Sequence, residues 1–161
     1  LTMSDKIAVM FDGKVEQVAS PRDLYERPSS QRVASFIGAM NFINGDIMET
    51  KKELKVNSRI LGEFFIPKTQ VSGNLFKNKI VIGIRPEMIS IVSDNFVTKN
   101  LISGKITDVS YFGETTYYKV ECGKNAETLT ISAQNSFSKM DYKIGETVKF
   151  KTDIKSLVGF L

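Results

Sequence analysis

From Asn41 to the C-terminus, apolar and polar residues alternate with a period of two in short runs, each closed by turn-forming residues. No other feature constrains the fold as much, because a β-strand with one buried face sorts its side chains in this way. Lys79 to Ile84 places Ile80, Ile82 and Ile84 on one side, and Pro86 then breaks the ladder because it has no N–H to donate. Thr116, Tyr118, Val120 and Cys122 line one face of a later run, opposite Tyr117, Lys119 and Glu121. After the Gly123-Lys124-Asn125 turn, Leu129, Ile131 and Ala133 face one way; Val148 and Phe150 point inward near the end, with Lys149 and Lys151 outward. Phe42 to Glu49, Leu54 to Ile60, Gly62 to Ile66, Ile89 to Val92 and Ile102 to Tyr111 read as further strands. A polar loop is expected near Asp94-Asn95, and Gly104 reads as a bulge or a point of close approach. Many short strands with turns at this spacing predict a small barrel or sandwich.

The first forty residues follow a different pattern. Ile7-Ala8-Val9-Met10 is a short apolar run, Asp12-Gly13 is a tight-hairpin signal, and Val15 to Ala19 is the returning strand. Ser20-Pro21-Arg22-Asp23 starts a helix: the serine hydroxyl can accept the Asp23 N–H, and Pro21 sits where no donor is missed. Pro28 stops that helix near Glu26. A second helix starts at Ser29 or Ser30, places Val33, Phe36 and Ile37 on one face, and is expected to end at Gly38 in a left-handed cap. A segment this short cannot bury a sufficient core alone. It reads as the edge of a larger domain, and Leu1 as a position inside a longer chain.

Composition narrows the chemistry. The chain of 161 residues has no histidine and a single cysteine, Cys122, so ordinary zinc sites, histidine-based triads and an internal disulfide are excluded within it. One thiol suits a reducing cytoplasm, and Cys122, on an apolar face, is expected to be buried and inert. No apolar run approaches the roughly eighteen residues of a membrane span, and the N-terminus lacks a signal-peptide pattern. The net charge of +4 arises wholly after residue 40, where seventeen basic side chains meet thirteen acidic ones. Spread over that length, the excess reads as a solvated lysine-rich surface. No phosphate-binding loop occurs; Gly104-Lys105 is followed by Ile106 and lacks the upstream glycine.

Several phrases, in order, resemble one family. Leu1 to Met10, Asp12-Gly13-Lys14, Ser20-Pro21 with Leu24-Tyr25-Glu26-Arg27-Pro28, and Val33 to Gly38 resemble the end of an ABC-type ATP-binding domain. Gly83-Ile84-Arg85-Pro86-Glu87, Tyr111-Phe112-Gly113-Glu114 with Thr116-Tyr117, and Ile144-Gly145-Glu146 with Val148 resemble the transport-associated OB domain of the same importer subunits. The resemblance implies a mainly β chain: an OB-like small barrel over residues 41–161, preceded by a short α/β remnant of the ATPase domain over residues 1–40. It implies a non-catalytic regulatory and dimer-forming end of a subunit that energises solute uptake. No cofactor is expected in this stretch, whereas the parent chain uses ATP and Mg. The implied partners are a second copy and the membrane-spanning permease subunits, without direct membrane insertion, on the inner face of the cell membrane. Gly38-Ala39-Met40-Asn41-Phe42 lacks a Ser-Pro insertion common in sugar importers, which points toward the polyamine type.

Candidate subunit or regulatory contacts are Arg85, Glu87, Tyr111, Phe112, Glu114 and Tyr117. Arg85 and Glu87 pair with each other or with a neighbouring subunit, or they only close a turn in which Glu87 caps a backbone amide. Tyr111, Phe112, Tyr117 and Tyr118 serve core or subunit contact, or form a base-stacking platform on a nucleic-acid-binding OB fold. An oxyanion-binding module is the third reading, because some relatives hold molybdate between such domains.

Overall fold

The computed structural model describes residues 4–75, 77–93, 95–96, 98, 100–135 and 141–161. Leu1 to Met3 of the ATPase-like phrase and Asp94 of the expected polar loop lie outside the described residues.

The N-terminal segment holds strands β1 (Ile7–Phe11) and β2 (Lys14–Ala19), then helices α1 (Pro21–Glu26) and α2 (Gln31–Ile37). Asp12 and Gly13 join β1 to β2 with φ of 50° and 75°, the left-handed pair that a two-residue hairpin of this hand requires. Ser20 caps α1 by accepting the Asp23 N–H at 3.1 Å, and Ser30 caps α2 by accepting the Val33 N–H at 3.2 Å. Val9, Leu24 and Val33 form a small core of their own, with Ile7, Phe11, Ala19 and Ile37 packed against it.

Among the described residues eleven strands follow: β3 (Asn41–Thr50), β4 (Glu53–Ser58), β5 (Gly62–Pro67), β6 (Val71–Ser72), β7 (Lys79–Ile84), β8 (Ile89–Val92), β9 (Ile102–Phe112), β10 (Thr115–Cys122), β11 (Glu127–Gln134), β12 (Thr147–Thr152) and β13 (Val158–Phe160). One sheet runs β5-β4-β3-β7-β13-β6 and the other β11-β10-β9-β12-β8. Among the described residues, all pairings are antiparallel except β13 with β6. The two curled sheets share one core. Ile43, Val56, Ile80, Ile82 and Ile84 enter it from the first, and Ile106, Tyr118, Val120, Leu129, Ile131 and Phe150 from the second. Asn41 ties them together: its amide donates to the Thr130 carbonyl at 2.8 Å and accepts the Thr130 N–H at 2.7 Å. This is an OB-like, mainly β fold, and the alternating residues face as their period requires.

Two expectations need correction, and one that left two readings open is decided. Gly38 is not a left-handed cap; its φ of 175° is extended backbone. The carbonyls at the end of α2 are satisfied by a side chain from outside the helix, described below, so no local left-handed turn is needed. Phe36 does not share the buried face of α2 and is 67% exposed, touching Phe11 edge to face. Ala34 is buried instead, against Val158 and Phe160. A helix pressed between two bodies needs two adjacent buried stripes, and Val33 and Ala34 supply them. Finally, the bulge in β9 is not at Gly104. Lys119 pairs with Asp108 and Val120 with Ile106, so Thr107 is the extra residue.

Gly104 is the close-approach point. A Cβ there would collide with the Val120 side chain, lie 2.9 Å from the Cys122 sulfur and 3.0 Å from the Glu121 carbonyl oxygen. At Gly38, by contrast, the nearest atom to an added Cβ is 3.5 Å away, ordinary contact. Gly104→Ala is therefore expected to destabilise the chain by about 1–3 kcal/mol through overpacking. Gly38→Ala should stay within about 0.5 kcal/mol of the parent. Denaturant unfolding of the two variants checks both, and a large loss at Gly38 would restore the left-handed cap.

Candidate functional site: the Arg85 junction and the β9–β10 hairpin

β7 runs out at Ile84, and the next residue is held extended, with φ −70° and ψ 141°, by the proline after it. That geometry turns Arg85 inward, leaving it 3% exposed at the seam between the N-terminal segment and the β domain. Its Nη1 donates to the carbonyls of Ala34, Gly38 and Ala39 at 3.1, 2.8 and 3.1 Å, and Nη2 donates to the Tyr25 carbonyl at 3.1 Å. The guanidinium also lies over the Tyr25 ring, 4.2 Å from its centre. One side chain thus gathers the carbonyl ends of α1 and α2 and fastens them to the end of β7. A planar fork with five donors can do this; a lysine ammonium cannot span those directions. Burial pulls the guanidinium pKa below its ordinary value.

The predicted site residues separate. Arg85 is spent on carbonyls inside the chain and forms no ion pair with Glu87. Glu87 is exposed, and no side chain caps the 3-10 turn Pro86–Met88 that it occupies, so it is not the expected amide cap. It shares a cleft of about 580 Å³ with Tyr117, Tyr25 and Tyr142. Tyr111 and Phe112 stand at the tip of the β9–β10 hairpin, 62% and 68% exposed, and Glu114 lies in the exposed turn beside them. Phe112 meets Tyr117 edge to face, with ring centres 5.6 Å apart at 87°. Register puts Tyr111 opposite Thr116, on the face of buried Tyr118, while Phe112 and Tyr117 share the other face. The four aromatics are therefore divided between two faces, and a row of parallel rings for successive bases is not formed.

Cys122 is buried, and desolvation first, then Glu127 and Glu121, push its thiol up to about 11. At neutral pH it is a protonated, unreactive filler beside Gly104. No group of three or more potential metal-ligating side chains occurs among the described residues. No helix among them is long and apolar enough to cross a membrane. Tyr25, Asn41 and Gln70 carry contacts that the sequence pattern did not single out. Gln70, for example, donates to the Ile154 and Leu157 carbonyls at 2.8 and 2.7 Å. A polar residue inside an apolar stretch was the available signal for Asn41, whereas Gln70 sits in the mixed run Lys68-Thr69-Gln70-Val71-Ser72 and carried none.

Residues 82–160 match the family model of the TOBE domain. The chain carries a TOBE domain. The match opens inside β7, just before Arg85, and closes at the last residue of β13. Spermidine/putrescine import ATP-binding proteins extend the likeness upstream. The one from Mesorhizobium japonicum is 36% identical over 138 residues, covering 86% of this chain and 36% of the relative. The one from Ruegeria pomeroyi is 35% identical over 121 residues, covering 74% and 31%. The chain spans about a third of the length of these relatives. Among solved structures, the cytoplasmic molybdate-binding protein ModG superposes with a TM-score of 0.58, covering 74% of this chain and 94% of that one at 9% identity. At that identity the likeness is one of fold, and it agrees with the OB-like architecture of the TOBE domain.

Replacing Arg85 with Met keeps the bulk and removes the donors, leaving four carbonyls without this partner. The expected loss is at least about 2 kcal/mol, with faster amide exchange in α1 and α2 than in β10. Arg85→Lys is expected to recover only part of it. Exchange that stays unchanged in the helices would show that the seam is held by something else.

Proposed function

We propose that this chain is the regulatory and dimer-forming end of the ATP-binding subunit of a polyamine importer. The observation that carries the reading is the extent of the likeness to the spermidine/putrescine import proteins. A match over 86% of the chain must run through both parts, since residues 41–161 make up about three quarters of it. The Mesorhizobium japonicum relative therefore shares at least part of residues 1–40 together with the β domain. In this reading residues 1–40 are the margin of the ATP-hydrolysing domain and residues 41–161 the OB-like regulatory domain. Catalysis, ATP and Mg belong to the rest of the parent chain. The permease subunits are its partners, on the cytoplasmic face of the membrane.

The β domain's part is to keep two subunits together while their catalytic halves close and reopen. Tethering of this kind raises the effective concentration of one half near the other. The exposed Tyr111 and Phe112, the latter braced by Tyr117, are an apolar tip suited to self-association, with Glu114 at its edge. Arg85 would transmit such an attachment, because it couples the TOBE domain to α1 and α2 through four hydrogen bonds.

Two measurements test this. In cells deleted for their own spermidine importer ATP-binding subunit, the complete coding sequence with its cognate permease is expected to restore radiolabelled spermidine uptake. Uptake of a sugar, ferric iron or an oxyanion instead would move the chain to another importer class. In sedimentation equilibrium the chain should form a dimer, weakened roughly tenfold or more by Phe112→Asp. A chain that remains monomeric at the highest soluble concentration would remove the dimer-forming role.

A further inference from the structure

The five-stranded sheet is curled but not closed. β8 and β11 stand at its two ends, and no pairing joins them among the described residues. Residues of both strands nevertheless line the cleft of about 580 Å³ that holds Glu87 and Tyr117: Ser90 and Ile91 from β8, Ser132 and Gln134 from β11. That volume falls within the roughly 300–1,000 Å³ of sites for larger ligands.

A strand in an antiparallel pair turns its N–H and C=O groups toward its neighbour at every second residue and away from it at the others. On β11 the Asn41 amide shows which residues face away from β10, because it meets both backbone groups of Thr130, at 2.7 and 2.8 Å. Counting by twos, Ser132 and Gln134 face the same open side. On β8 the direction follows from β12. Ile106 donates to the Glu146 carbonyl at 2.9 Å and accepts the Gly145 N–H at 2.8 Å, so β9 faces β12 at Ile106, Gly104 and Ile102. Val148 and Phe150 answer Gly104 and Ile102, which leaves Lys149 and Lys151 to face Val92 and Ser90. Ile89 and Ile91 therefore point outward, and the Ile89 N–H closes on the Pro86 carbonyl as that direction requires. Among the described residues, the N–H and C=O groups of Ile91 and Ser132 have no partner.

An unpaired edge is a template for another strand, and one rung here is already filled: the Asn41 amide meets Thr130 as a peptide group of an added strand would. We propose that the β11 edge beyond this rung receives an extended, basic peptide segment of a partner protein, which pairs with Ser132, faces Ile91 and carries a lysine or arginine to Glu87. Charge favours such a segment, because Glu87 is the one charged residue among the described lining residues and forms no ion pair among them. The surroundings favour a single strand over a second copy of this chain. β8, Tyr25 and Tyr142 wall the same cleft, and a walled cleft admits one extended chain more readily than a strand backed by its own sheet. Main-chain hydrogen bonds supply the affinity, and the side chains on either side of the added strand supply the choice of sequence. This does not rest on the transport reading, since both edges lie within the present chain.

The probe is a fluorescein-labelled hexapeptide of alternating valine and lysine, titrated with the chain and read by fluorescence anisotropy. Saturable binding below about 1 mM is expected, with slower amide exchange at Ser132 and Ile91 and none of that slowing along β5, at the edge of the other sheet. The same peptide N-methylated throughout keeps its side chains and loses its backbone donors, so it should bind roughly tenfold more weakly or worse. Ser132→Pro removes the outward N–H and leaves the β10 ladder alone, a position where an edge strand tolerates proline; it should weaken binding to a similar degree. If that variant fails to fold, the N-methylated peptide carries the same test. Glu87→Gln, at an exposed position, should weaken binding roughly two- to fivefold. No saturable binding, equal binding of the N-methylated peptide, or unchanged exchange at Ser132 would each overturn the proposal. So would a dimer in sedimentation that Ser132→Pro abolishes, which would give the edge to a second copy.

Discussion

A single buried guanidinium is the constraint on which the joining of this chain's two parts depends. Arg85 holds the carbonyls of Tyr25, Ala34, Gly38 and Ala39 at once, and those four come from the ends of two helices and the link that follows them. Helix ends leave carbonyls without partners inside the helix, and burying them unmet costs several kcal/mol in sum. A local cap at each helix would have satisfied the same groups without linking them to anything. Satisfying them from β7 makes the helix ends and the sheet one unit. Van der Waals contact reinforces the seam where Ala34 packs on Val158 and Phe160.

That arrangement explains why so short an N-terminal segment is ordered. Its own core of Val9, Leu24 and Val33 is small, and isolated helices of six or seven residues do not persist in water. Serine caps and a tight Asp-Gly hairpin give each element its start, while the TOBE domain supplies the second wall. The segment also leaves Met10, Val15, Val18 and Phe36 exposed.

Much of the fold was legible before any coordinates. Ile80, Ile82 and Ile84 and the row from Thr116 to Cys122 lie buried as their alternation required, because burial on one face of a pleated strand has no other period. β6 and β13 escaped notice: two or three residues are too few for a period, and their pairing is set by partners far along the chain. Phe36 misled for a different reason. Spacing identifies an apolar stripe but not how many bodies press on the helix, and Ala34 became a core residue only because β13 lies against it.

The residue order alone determined the class of this protein: the alternation of the longer strands, their turns, the serine caps that start the helices, the absence of histidine chemistry, and the phrases that resemble importer ATP-binding subunits. These depend on local periods and residue types, which sequence carries directly. Tertiary structure decided what Arg85 is for, where Glu87 and Tyr117 meet, and that Arg27, Arg85 and Lys155 surround one cavity. The residues so brought together lie between 30 positions apart (Glu87 and Tyr117) and 128 (Arg27 and Lys155). Charge and hydrogen-bond geometry act through space, so their meaning arose only once folding had brought the partners within a few ångströms.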